Sequence, residues 1–119
     1  MKSVAAVFLT LLVLAVPSLS QTCEGNAPEY VNCLAKELKT VDAKLNVEYQ
    51  RAPKITKNQW TSTDVQNLKD AQRKWIAYRD AVCKAEYGLV GGGTAGPSIQ
   101  ISCLIRITKE RIADLQAEY

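Results

Sequence analysis

Hydrophobic side chains after residue 20 recur at intervals of three and four residues in three segments, which is the spacing of one helical face. The first segment opens with the capping pattern of Asn26 and Glu29 and is predicted to end before Pro53. Its face consists of Tyr30, Leu34, Leu38, Val41, Leu45 and Tyr49.

The second segment opens at Thr61, with Asp64 three positions later, and Gly88 is predicted to be its C-terminal cap. Its face consists of Val65, Leu68, Ala71, Trp75, Tyr78 and Val82. The third segment begins after Gly96 and Pro97, because proline suits a first helical turn. Its inner face consists of Ile101, Leu104, Ile105, Thr108, Ile112 and Leu115. No stretch has the alternation of a strand, so the sequence predicts an all-α fold, a small bundle of three main helices.

The first twenty residues have a different pattern. A positive start with Lys2 precedes an apolar run from Val4 to Val16, and Ser18-Leu19-Ser20 forms a small-x-small cleavage site. The run is too short for a helix that spans a bilayer core of about 30 Å. We therefore expect a signal peptide at 1–20, one mature domain at 21–119, and a periplasmic or secreted protein with no stable membrane insertion after cleavage.

The four cysteines of an exported chain this small predict two disulfides. If the second and third helices fold back on each other about residues 92–93, Cys83 faces Cys103, which leaves Cys23 to pair with Cys33. The alternative connectivity joins Cys33 to Cys83 and Cys23 to Cys103. Either connectivity would cross-link the helices of the bundle covalently.

Composition argues against several functions. The chain has no histidine, and the disulfides occupy every thiol, so we predict no catalytic residue, no metal site, no cofactor and no enzyme activity. Without Lys2 the net charge falls from +3 to +2, and no basic stripe is present, so nucleic acid is not expected as a partner.

Five polar residues lie on or beside the apolar faces: Asp42, Asn46, Gln72, Arg79 and Arg111. We interpret them as a structural network across helices, because a buried charge is strongly destabilising without a partner. A ligand or partner site is the alternative interpretation. The first and third helices run parallel in such a bundle, and setting Cys33 opposite Cys103 places Asp42 near Arg111.

The run from Ala71 to Cys83 resembles the Q-x-x-W-x-x-[YF]-R-D-x-x-C signature of the lysozyme-inhibitor LprI-like N-terminal domain family. Three further blocks resemble that family: the pair Cys23 and Cys33; the motif D-x-x-L-N-x-x-Y at Asp42, Leu45, Asn46 and Tyr49; and the motif C-x4-T-x-x-R-x3-L at Cys103, Thr108, Arg111 and Leu115.

This resemblance implies an exported helical module that inhibits lysozyme or another cell-wall hydrolase. The alternative is a non-inhibitory periplasmic structural or interaction domain whose partner, another cell-envelope protein or a ligand, the sequence does not identify. The glycine-rich loop from Gly88 to Gly96 is the predicted partner-binding loop, with Leu89, Val90 and Thr94 as its contact residues. A net charge of +2 gives no electrostatic steering towards the many animal lysozymes that are cationic.

Overall fold

The structure, a computed structural model, describes residues 22–56 and 58–119. These residues form three helices and no strand: α1 (Ala27–Ile55), α2 (Ser62–Leu89) and α3 (Gly96–Glu118). The predicted all-α fold is thereby confirmed. The predicted signal peptide at 1–20 lies outside the described residues.

Capping boxes begin α1 and α2, as the sequence predicts. The Asn26 side chain accepts a hydrogen bond from the Glu29 backbone N–H, and the Glu29 carboxylate accepts one in return. Thr61 and Asp64 form the same arrangement at the start of α2. Hydrogen bonds from the Thr61 hydroxyl and backbone N–H hold the pKa of Asp64 below its ordinary value. Both boxes satisfy backbone donors that the first helical turn leaves without partners.

Two predicted helix ends are wrong. Helix α1 passes through Pro53 to Ile55, where the Thr56 backbone N–H donates to the Ala52 carbonyl. Ala52 is fully buried in the main core, and that packing holds the last turn despite the proline. Helix α2 continues past Gly88 to Leu89, because the left-handed backbone conformations that favour glycine occur later, at Gly91, Gly92 and Gly93.

Helix α3 is the centre of the bundle. It packs along both α1 and α2, whereas α1 and α2 have little direct contact with each other. Helices α1 and α3 run parallel, because Glu37 pairs with Lys109 and Glu48, further along α1, pairs with Gln116, further along α3. Helix α2 runs antiparallel to α3. The result is a shallow groove between α1 and α2, with α3 behind it.

The core forms two clusters of buried side chains. The larger lies mainly between α1 and α3 and contains Leu34, Val41, Leu45, Ala52, Leu68, Ile105, Ile112 and Leu115. The smaller lies where α2 meets α3 and contains Cys83, Cys103 and Ile107. The predicted faces of α1 and α3 supply most of these residues, although Tyr30 is exposed and Ile107 was not predicted.

The predicted face of α2 is wrong in part. Of the predicted face, Leu68 is buried, but Ala71 is exposed and Tyr78 is 61% exposed. Gln72 and Cys83, which were not on the predicted face, are buried. The helix is therefore turned so that part of its polar side faces the other helices. The physical reason is that α3 presents Thr108 and Arg111 towards α2, and both find hydrogen-bond partners there.

The disulfides join Cys23 to Cys33 and Cys83 to Cys103, which confirms the predicted connectivity. The first bridge ties the N-terminal segment to α1. The second ties the end of α2 to the start of α3, and both of its cysteines are buried. A bridge of this kind stabilises a small domain by about 2–4 kcal/mol. The usual explanation is that the cross-link lowers the conformational entropy of the unfolded chain.

Candidate functional site

The five predicted polar residues do not form a single cluster. Arg79 is the centre of one group: its Nη1 donates to Asp42 Oδ1 and to Thr108 Oγ1, each at 3.2 Å, and its Nε donates to Asp80 Oδ1 at 3.0 Å. Its guanidinium carbon lies 5.2 Å from the centre of the Trp75 ring, within cation–π range. The side chain of Arg79 is only 15% exposed, so these contacts fix it in one orientation.

The predicted Asp42–Arg111 pair is wrong. Arg111 Nε donates instead to Gln72 Oε1 at 3.1 Å. The predicted alignment of α1 with α3 along the helix axes is nearly correct. It set Cys33 opposite Cys103, which are 70 residues apart in the sequence. The observed cross-helix pairs Glu37–Lys109 and Glu48–Gln116 are 72 and 68 residues apart. The error is rotational, since Arg111 points towards α2 while Asp42 faces Arg79.

Four of the five residues line the groove between α1 and α2, which has a volume of about 500 Å³. We call it the α1–α2 groove. Its α1 wall consists of Asp42, Leu45, Asn46 and Tyr49. Its α2 wall consists of Lys69, Gln72, Arg73, Ile76 and Arg79. Arg111 lies outside it, in a separate depression beside Trp60 and Tyr119.

Three residues of the α2 wall, Lys69, Arg73 and Ile76, were not predicted as site residues. Together with Gln72 and Arg79 they recur at steps of three and four, which places them on one face of α2. This spacing is a signal in the sequence, but hydrophobic periodicity does not detect it because most of these residues are polar.

The predicted contact loop lies at the opposite end of α2 from the Thr61 cap. Leu89 is 85% exposed and Val90 is 43% exposed, and Thr94 is exposed as well. Backbone hydrogen bonds close the loop, from the Gly91 N–H to the Gly88 carbonyl and from the Gly96 N–H to the Gly93 carbonyl. The loop is therefore a turn with two apolar side chains at its edge.

The ring of Tyr87 packs against the backbone of this turn at Gly92 and Gly96. A Cβ atom on Gly96 would lie 2.5 Å from Tyr87 Cε2, and one on Gly92 would lie 3.1 Å from the Tyr87 hydroxyl oxygen. Only glycine lets the backbone approach the ring this closely. The Cys83–Cys103 bridge joins α2 and α3 about two turns below the loop.

Within the described residues no cluster of His, Cys, Asp or Glu is arranged to hold a metal ion. None of the described helices is long and apolar enough to cross a membrane.

Comparisons with known proteins identify the family. The family model described as lysozyme inhibitor LprI matches residues 20–115. An uncharacterized protein of Rhizobium meliloti (strain 1021) is 28% identical over 131 aligned residues, which cover 98% of this chain and 94% of that protein. No solved structure matches the chain. The family match spans α1, α2, most of α3 and both disulfides, and the chain therefore belongs to the lysozyme inhibitor LprI family.

Proposed function

We propose that this chain is an exported, non-enzymatic inhibitor of a lysozyme or a related cell-wall hydrolase. Membership of the family is the observation that carries the proposal. Export is supported by the leader pattern at 1–20 and by two disulfides, which persist in oxidising compartments.

We further propose that the α2–α3 loop, residues 88–96, makes the inhibitory contact. Leu89 and Val90 place exposed apolar surface side by side at the turn between α2 and α3. Exposed apolar side chains that a partner removes from water contribute to affinity through the hydrophobic effect. A turn at the end of a helical hairpin also has a shape that can enter the concave substrate cleft of a hydrolase.

Rigidity supports the same assignment. The loop is closed by its own hydrogen bonds, packs on Tyr87, and stands on two helices joined by the Cys83–Cys103 bridge. A binding loop that is already ordered loses less conformational entropy on association than a free one.

The test is a turbidity assay of bacterial cell-wall lysis by several lysozyme types, with the purified oxidised protein as inhibitor. The double substitution Leu89→Ser and Val90→Ser should weaken inhibition by about 10-fold or more, since burial of one Leu or Val side chain contributes about 1.5–3 kcal/mol. Its melting temperature should stay close to that of the wild type, because both side chains are already exposed.

The matched control is Val47→Ser on α1, which is 64% exposed and lies away from the loop. Inhibition should be unchanged in this variant. Equal inhibition by the loop variant and the wild type would disprove the loop assignment. Failure of the folded, oxidised wild type to inhibit any lysozyme type would disprove the inhibitor proposal itself and favour the non-inhibitory envelope domain.

A further inference from the structure

The α1–α2 groove contains polar groups that the fold positions but does not use. Gln72 is 92% buried, since only 8% of its surface is exposed, and its Oε1 accepts the hydrogen bond from Arg111. Arginine has only donors, so this bond determines which end of the amide faces Arg111. The Gln72 amide nitrogen therefore points away from Arg111, with two N–H donors to offer.

Gln72 lines the groove. Its amide nitrogen donates no hydrogen bond to another described residue, so a molecule in the groove is a suitable acceptor for its N–H groups. A side chain this buried with unused donors is pre-organised to bind an acceptor, because little of its conformational freedom remains to be lost.

Asn46 and Lys69 extend this polar surface on opposite walls. Asn46 is exposed on α1, and its side chain makes no hydrogen bond within residues 22–56 and 58–119, so it offers both a donor and an acceptor. Lys69 lies one turn from Gln72 on the same face of α2 and forms no ion pair in the described part of the chain. The other two cations of the groove are already paired, Arg73 with Asp70 and Arg79 with Asp42 and Asp80.

Apolar groups complete the groove. Leu45 lies at its base and is 5% exposed, Ile76 is 40% exposed on the α2 wall, and Tyr49 adds an aromatic ring. A free ammonium suits a carboxylate, and an amide that donates and accepts suits another amide. The volume of about 500 Å³ is within the range of small-molecule sites, which is roughly 300–1,000 Å³.

We propose that the α1–α2 groove binds a small acid that carries an amide group beside its carboxylate. Two kinds of molecule have this chemistry: a short N-acylated peptide with a free C-terminal carboxylate, and an N-acetylated sugar acid. Lys69 holds the carboxylate, Gln72 and Asn46 bind the amide, and Leu45 and Ile76 pack against the apolar part of the ligand. This site is separate from the α2–α3 loop and does not depend on inhibition of lysozyme.

The experiment follows the amide resonances of the ¹⁵N-labelled oxidised protein by NMR during titration with two matched pairs of probes. One pair is N-acetyl-alanyl-alanine and its C-terminal amide, and the other is N-acetylmuramic acid and N-acetylglucosamine. At least one acid should shift the side-chain amide signals of Gln72 and Asn46 with saturation. Its uncharged counterpart should bind about 2- to 5-fold more weakly, because it cannot form the ion pair with the exposed Lys69 ammonium.

Variants locate the site. Lys69→Gln should reduce the affinity for the acid to that of the uncharged probe, whereas Lys74→Gln, which removes an exposed charge of the same helix outside the groove, should have no effect. The loop variant with Leu89→Ser and Val90→Ser should bind the acid like the wild type, so this test is independent of the inhibition assay.

The pair that responds identifies the source of the ligand, a peptide or a sugar acid. Three results would overturn the proposal: neither acid shifts the groove signals, acid and uncharged probe bind equally, or Lys74→Gln weakens binding as much as Lys69→Gln.

Discussion

Arg79 connects all three helices through its side chain. It donates from α2 to Asp42 on α1 and to Thr108 on α3, and it lies over the ring of Trp75. Thr108 is fully buried, and Arg79 is its side-chain partner. Removal of the guanidinium would leave a buried hydroxyl without that partner, which is more costly than the loss of an exposed ion pair.

We therefore expect Arg79→Ala to lower the free energy of unfolding by about 1–3 kcal/mol, the cost of a buried polar group left unsatisfied. Urea denaturation followed by circular dichroism measures this. The matched control is Arg73→Ala on the same helix, whose pair with Asp70 is exposed and should contribute about 0–1 kcal/mol. Equal losses in the two variants would mean that the buried contacts of Arg79 add nothing.

Glu48 makes stability depend on pH. Hydrogen bonds from Gln116 and then from Arg51 hold the pKa of its carboxyl below the ordinary value of 4.5. Because the pKa is lower in the folded state, the stabilisation is present above pH 4.5 and is lost as the pH falls through the folded-state pKa.

Glu48→Gln keeps an acceptor for both partners but removes the charge. We expect it to lower the melting temperature at pH 7, with the difference from the wild type shrinking as the pH falls through the folded-state pKa, because the wild-type carboxyl then becomes protonated. Thermal denaturation over a series of decreasing pH values from pH 7 checks this. A difference that stays constant with pH would show that the charge of Glu48 is not involved.

At the scale of single helices, local signals were sufficient where the chemistry is local. The capping boxes at Asn26 and Thr61 involve residues three positions apart, so the sequence alone predicted both. The end of α1 and the inner face of α2 depend on distant residues: the packing of Ala52 in the core, and the polar side chains that α3 presents. Hydrophobic spacing within one helix contains no information about a polar partner on another.

The candidate site was predictable to a similar extent. The sequence singled out Asp42, Asn46, Gln72 and Arg79, which all line the groove, but assigned Asp42 the wrong partner. The groove itself could not be predicted from the sequence. It forms because α1 and α2 both pack on α3 and have little contact with each other.

The cap of α2 allows a direct test at this scale. Thr61→Ala removes the side-chain acceptor for the Asp64 N–H and should destabilise the protein by about 1 kcal/mol. Thr63→Ala is the matched control, because Thr63 is exposed in the same first turn and does not cap the helix. Chemical denaturation distinguishes the two variants, and a Thr63 effect as large as that of Thr61 would contradict the capping argument.

For the whole molecule, the expected product of export is a chain that starts near Gln21 and has no free thiol. Intact-mass analysis of the exported protein should show the loss of the leader and, from two bridges, of four hydrogens. Thiol labelling under denaturing, non-reducing conditions should give no product. A labelled thiol would contradict full oxidation, and an uncleaved leader would contradict the predicted processing.

The placement of the two bridges also determines which parts of the molecule can open separately. Cys23–Cys33 closes a loop within the first helix and its N-terminal segment, whereas Cys83–Cys103 joins the other two helices, so neither bridge connects α1 to α2 or α3 and the main chain is its one covalent link to them. Beyond the main chain, packing on α3 and polar pairs such as Glu37–Lys109 and Asp42–Arg79 hold α1 in place. Separation of α1 would therefore break the main core and remove one wall of the groove, while the Cys83–Cys103 bridge would still join α2 to α3 beside the loop.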